Sequence, residues 1–79
     1  MTIEKNKINN LVETINIHLS IINDCIIEKN DAQLKIEKIY VRGMIQSLYT
    51  IGITVEFDND KNDVKFLSLN GKLIYSKNE

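Results

Sequence analysis

The sequence predicts an α+β fold, an N-terminal antiparallel helical hairpin followed by a three-stranded antiparallel β-meander. Three observations carry that prediction. Apolar residues recur at helical steps of three and four from Ile8 to Ile51. The period then drops to two directly after Gly52. Asn70-Gly71, the strongest short hairpin signal, sits between two apolar runs near the C-terminus.

The first helix is expected over about 8–29. Ile8, Leu11, Val12, Ile15, Leu19, Ile22 and Ile26 fall on one arc, with His18 and Cys25 at its edge. Met1 to Lys7 is polar and expected to fray. Ile17, Ile21 and Ile27 lie off the arc, where one buried face does not need them. Either they are simply exposed or they belong to a second surface covered by another chain, and the marginal size of the domain favours the second.

Lys29-Asn30-Asp31 is the break. Asn30 followed three residues later by Gln33 resembles a capping box, and Asp31 suits the positive end of a following helix. Neither Asn nor Asp forbids helix continuation, so a single long helix is the alternative to the hairpin. The second helix is expected over about 32–51. Leu34, Ile36, Tyr40, Val41, Met44, Ile45, Leu48 and Ile51 fill an arc wider than half its circumference. Such an arc needs cover from two directions. Gly43 and Ser47, one turn apart, form a small pair that permits close approach of a neighbouring element.

Gly52 suits the left-handed position after a helix, with Ile53 as the apolar residue beyond it. Strands are expected over about 53–57, 64–69 and 72–76, in a single domain spanning 1–79. A two-residue turn at Asn70-Gly71 would pair Leu69 with Lys72, Ser68 with Leu73, Leu67 with Ile74 and Phe66 with Tyr75. In that register both sheet faces carry apolar groups, and one needs a cover from outside.

A chain of 79 residues buries only about 60% of its unfolded surface, so oligomerisation would relieve a marginal core. The formal net charge of −1 gives no expectation of nucleic acid as partner. The single cysteine allows no internal disulfide and fits a reducing compartment. No secretory-type or membrane-spanning apolar run occurs, so a cytoplasmic protein is expected.

Catalytic and metal chemistry find little footing. His18 and Cys25 are two helical turns apart, about 10 Å, too far for a nucleophile–base pair. Two ligands also fall short of a zinc site. Asp58, Asp60 and Asn62 copy the opening of a calcium loop, but Asp63 stands where its glycine belongs and Leu69 where its glutamate belongs. Gly43, Gly52 and Gly71 are too scattered to cradle phosphate. A non-enzyme without cofactor or metal is expected. One polar surface stands out. Lys35, Lys38 and Arg42 follow i, i+3, i+7 spacing on the second helix, and Gln46 and Tyr49 continue their face. Two ammoniums, a guanidinium fork, an amide and an aromatic plate suit an anionic ligand bearing a base.

The run from Met44 to Phe57, a helix entering a glycine and then a V-E-F strand, followed by the Asn70-Gly71 hairpin, resembles small accessory proteins of low-GC bacterial phages. Heavy use of Ile, Asn and Lys, residues with AT-rich codons, agrees with such a source. The resemblance implies an antagonist of host defence. Some such proteins are oligomeric sponges for nucleotide immune signals; others, of anti-CRISPR or anti-repressor type, block a host protein by contact. No functional residue carries over from it. The expectation is a homo-oligomer that sequesters a small anionic nucleotide through Lys35, Lys38, Arg42, Gln46 and Tyr49. Its subunits would meet at Ile17, Ile21, Gly43 and Ser47. A host defence protein as partner is the alternative, then a nucleic-acid-binding regulator.

Overall fold

The structure is a computed structural model and describes residues 4–58 and 63–78. Helix α1 spans Lys5–Ile27 and α2 spans Asp31–Thr50. Strands β1 (Ile53–Phe57), β2 (Val64–Leu69) and β3 (Lys72–Ser76) form an antiparallel sheet in the order β1-β2-β3. The α+β architecture is as the sequence predicts, and the interhelical break makes a hairpin rather than one long helix.

α1 begins at Lys5, one turn ahead of its apolar stripe. Lys7 and Ile8 donate their amides to the Glu4 carbonyl. That first turn is exposed, so nothing apolar marks it in the sequence. α1 ends in a Schellman motif. The Asn30 amide donates to the Cys25 carbonyl at 2.9 Å and the Lys29 amide to Ile26. Lys29 takes the left-handed position at φ 57 that usually falls to glycine.

Only half of the expected capping box forms. The Asn30 side chain accepts from the Gln33 amide at 3.3 Å, capping α2. The Gln33 side chain donates instead to Glu37 at 3.1 Å. The reciprocal bond is not needed, because the Asn30 amide is already committed to Cys25.

α2 stops at Gly52, whose φ of +90 lets the chain turn into β1. The Gly52 carbonyl accepts from the Asn70 amide at 2.8 Å. A Cβ at Gly52 would run into the Asn70 side chain. Asn70 and Gly71 both have positive φ, at 51 and 85, as a type I′ turn requires.

The expected β2–β3 register holds for Leu69–Lys72 and Ser68–Leu73 and then breaks. Leu67 pairs with Tyr75 and Phe66 with Ser76, leaving Ile74 as a bulge. A second bulge at Lys65 lies between the pairs Glu56–Phe66 and Phe57–Val64. Each bulge shifts the alternation by one residue. Ile74 and Tyr75 both reach the helices, and Val64, Leu67 and Leu69 all face inward. The outward face keeps only Phe66 and Leu73 as large apolar groups. Lys65 Nζ lies 5.6 Å from the Phe66 ring centroid.

Ile8, Val12 and Ile15 of α1 pack with Ile53, Val64, Leu67 and Leu69 of the sheet. Leu11, Leu19, Met44, Ile45 and Leu48 close the edges. Asn16 Oδ1 accepts from the Val64 amide at 2.8 Å and pins the start of β2 to α1. The sheet covers only part of the hairpin, and the molecule is elongated at 41 × 26 × 21 Å. Four expected core positions are not covered: Ile26, beyond the sheet, and Ile36, Tyr40 and Ile51 of the second arc are 54%, 60%, 57% and 54% exposed. Among the described residues, no helix is long and apolar enough to cross a membrane.

Candidate functional site

Helical spacing places Lys35, Lys38, Arg42 and Gln46 along one face of α2, and all four are exposed. None of the three cations pairs with a carboxylate among the described residues. Lys38, Arg42 and Gln46 rim a hollow of about 340 Å³ where the hairpin projects past the sheet. Its floor is Ile22 of α1, Val41 and Ile45 of α2, and Phe57 at the end of β1. Lys35 lies across the ridge, in a second hollow shared with Lys38 and Arg42 and walled by Leu34, Ile39 and Asp31.

Tyr49 is on the same helix face but does not join them. It is 72% exposed and stands at the far end of α2, beside Gly52, Thr54, Asn70 and Gly71. The aromatic wall beside the cations is Phe57. Alternation in β1 marks Phe57 as inward-facing; that it ends beneath the helix seam depends on where the sheet stops.

The chemistry such a lining could perform is recognition. Two cations with free donors face an apolar floor, so an anionic group can hydrogen-bond at the rim while an apolar or aromatic body rests on Phe57 and the isoleucines. Hydrogen bonds to charged partners contribute about 1.5–3 kcal/mol each.

A second polar cluster ties the helices together. His18 Nδ1 and Glu37 Oε2 are hydrogen-bonded at 3.2 Å, and the His18 and Tyr40 rings are 4.7 Å apart. Glu37 also accepts from Gln33, so its carboxylate is satisfied on both oxygens. Cys25 is buried at 6% exposure. Burial, then the nearby Glu28, Glu37 and Asp24 carboxylates, pushes its thiol above the usual cysteine range. Among the described residues, no group of three or more His, Cys, Asp or Glu side chains converges as a metal would need. The calcium-loop comparison at Asp60 and Asn62 lies outside the described residues. Asp58 and Asp63, at the ends of that segment, both accept from Lys77 Nζ, the latter at 3.1 Å.

The four expected interface positions all reach the surface of the hairpin. Ile17 is 52% exposed, Ile21 is half-buried, and Gly43 and Ser47 are exposed. A Cβ added at Gly43 would meet nothing within 4 Å. The Ser47 hydroxyl donates back to the Gly43 carbonyl at 2.9 Å.

Compared with family models, curated proteins and solved structures, the chain matches none.

Proposed function

We propose that this protein is a non-enzymatic binding protein of phage-accessory type, which antagonises host defence by sequestering a small anionic nucleotide. The observation that carries this reading is the hollow rimmed by Lys38, Arg42 and Gln46 over an apolar floor. The cations meet phosphate, and the base lies against Phe57 rather than Tyr49. Lys35 extends the positive edge from the neighbouring hollow.

Calorimetry against cyclic nucleotides and ADP-ribose-derived nucleotides tests it. Binding by at least one, weakened tenfold or more in Lys38→Ala and Arg42→Ala but unchanged in Tyr49→Ala, is the expected result. No heat from any of the panel would remove the nucleotide reading.

A second reading, a contact inhibitor of a host protein, is favoured by the large exposed groups Ile17, Ile36, Ile39 and Tyr40. It requires a stoichiometric complex with a single host protein, lost in Ile36→Asp and kept in Lys38→Ala.

A further inference from the structure

The side of the hairpin turned away from the sheet is apolar and uncovered. Ile36, Tyr40, Gly43 and Ser47 repeat at steps of four, three and four along α2, the spacing of a helix seam. Ile36 and Tyr40 are 60% and 57% exposed. The helices run antiparallel, and His18 sits against Glu37 and Tyr40. Ile17 of α1 is therefore level with Tyr40, and Ile21 with Ile36. Helical spacing and height put these four on neighbouring turns of the two helices, near the open space at Gly43, with Ile17 also lining a hollow beside Asn16, Ser20 and Tyr75 of β3.

Area and charge both identify what covers it. A monomer of 9.1 kDa is expected to expose about 4,900 Å². This chain exposes 5814 Å². The elongated shape thus leaves about 900 Å² of surface beyond the compact expectation, enough to supply the ~800 Å² that each partner buries in a standard interface. Beyond Lys7, α1 carries Glu13 and Asp24 and no lysine or arginine. Between Ala32 and Thr50, α2 carries Lys35, Lys38 and Arg42 against one acid, Glu37, which is held by His18 and Gln33. Past their first turns, which hold Lys5, Lys7 and Asp31, α1 presents acids and α2 mostly bases.

We propose that two copies of this chain pack hairpin to hairpin, α1 of each over α2 of the other, into a four-helix bundle with a sheet on either side. A two-fold axis parallel to the helices gives this arrangement and keeps residues of equal height opposite one another. Ile17 then meets Tyr40 of the second copy and Ile21 meets Ile36. At the rim, Asp24 comes within about 3 Å of the height of Lys35, and Glu13 of Arg42, within reach of these long side chains. The alternative two-fold, perpendicular to the helices, stacks α1 on α1 and sets acid against acid. Gly43, whose missing side chain serves nothing within its own chain, lets the opposing helix approach closely. The apolar seam lies on a different face from the nucleotide hollow and stands without nucleotide binding; only the rim residues Lys35 and Arg42 border both.

Light scattering on the full chain at tens of micromolar is the test, with twice the 9.1 kDa chain mass expected. Gly43→Lys places a long cation in the seam, where its own chain leaves open space. It should elute as a monomer with an unchanged far-ultraviolet dichroism spectrum. Asp24→Lys and Lys35→Asp should each weaken association about tenfold, and the double variant should restore it. A monomeric wild type, a dimeric Gly43→Lys, or a double variant no better than the singles would each overturn the arrangement. Nucleotide titration of Gly43→Lys separates the two proposals, since binding retained by a monomer leaves the hollow standing alone.

Discussion

Two residues at the ends of helices set opposite expectations. Lys29 occupies a left-handed position with a side chain that disfavours it. Lys29→Gly should stabilise the chain by about 1 kcal/mol, raising the urea midpoint without changing the slope. Gly52 is the reverse, with positive φ and no room for a Cβ against Asn70. Gly52→Ala should cost about 2 kcal/mol in the same titration. Lys77 supplies the pH dependence. Its hydrogen bonds to Asp58 and Asp63 push the ammonium up to about 12. The folded pKa lies above the unfolded value, so the stabilisation is complete below about 10.4 and is lost as pH rises toward 12. The stability difference between wild type and Lys77→Met should be flat across neutral pH and shrink only above that lower value. A difference already shrinking at pH 8 would contradict the clamp. Single letters could announce Gly52, which has one conformational use at a helix end. They could not announce Lys77, whose partners Asp58 and Asp63 lie 19 and 14 residues away.

At the scale of elements, the helix, strand and turn assignments were legible because each rests on local periodicity or turn chemistry. The stops at Lys29–Asn30 and Gly52 and the Asn70-Gly71 turn all lie in short-range hydrogen bonds. The bulges at Lys65 and Ile74 were not legible. Each is an accommodation of one strand to the face it must cover, and a strict two-residue alternation does not encode it. The docking of α1 on the sheet was equally hidden, since it passes through Asn16 to a strand 48 residues away. Asn16→Ala leaves the Val64 amide without its acceptor and should cost about 1–3 kcal/mol, read by chemical denaturation. Gly43 gives a contrasting case. With open space around its α-carbon, Gly43→Ala should raise the stability of the dilute monomer by about 1 kcal/mol.

The whole molecule is a hairpin longer than the sheet that covers it. That mismatch leaves two surfaces. Where the hairpin projects, Ile22, Val41 and Phe57 become a floor beneath Lys38 and Arg42. On its far side, Ile17, Ile36 and Tyr40 stay uncovered. If the far side closes by dimerisation, the melting temperature should rise with protein concentration, as mass action demands. A midpoint constant over a hundredfold dilution would count against the bundle. Cys25 reports on the hairpin seam itself. Its buried, protonated thiol should react slowly with a thiol reagent at neutral pH and rapidly in urea.

By itself the sequence determined the order and type of every element, the helix stops, the tight turn and the cationic face of α2. Those features depend on backbone preferences and on side-chain spacing within a few residues. Only the tertiary structure decided which part of that face has a floor. It set Tyr49 apart and brought Phe57 in, because both outcomes depend on how far a short sheet reaches along a long hairpin. It likewise set Ile17 and Ile21 of α1 at the heights of Tyr40 and Ile36 of α2. Two helices must lie side by side before their outer faces become a single surface.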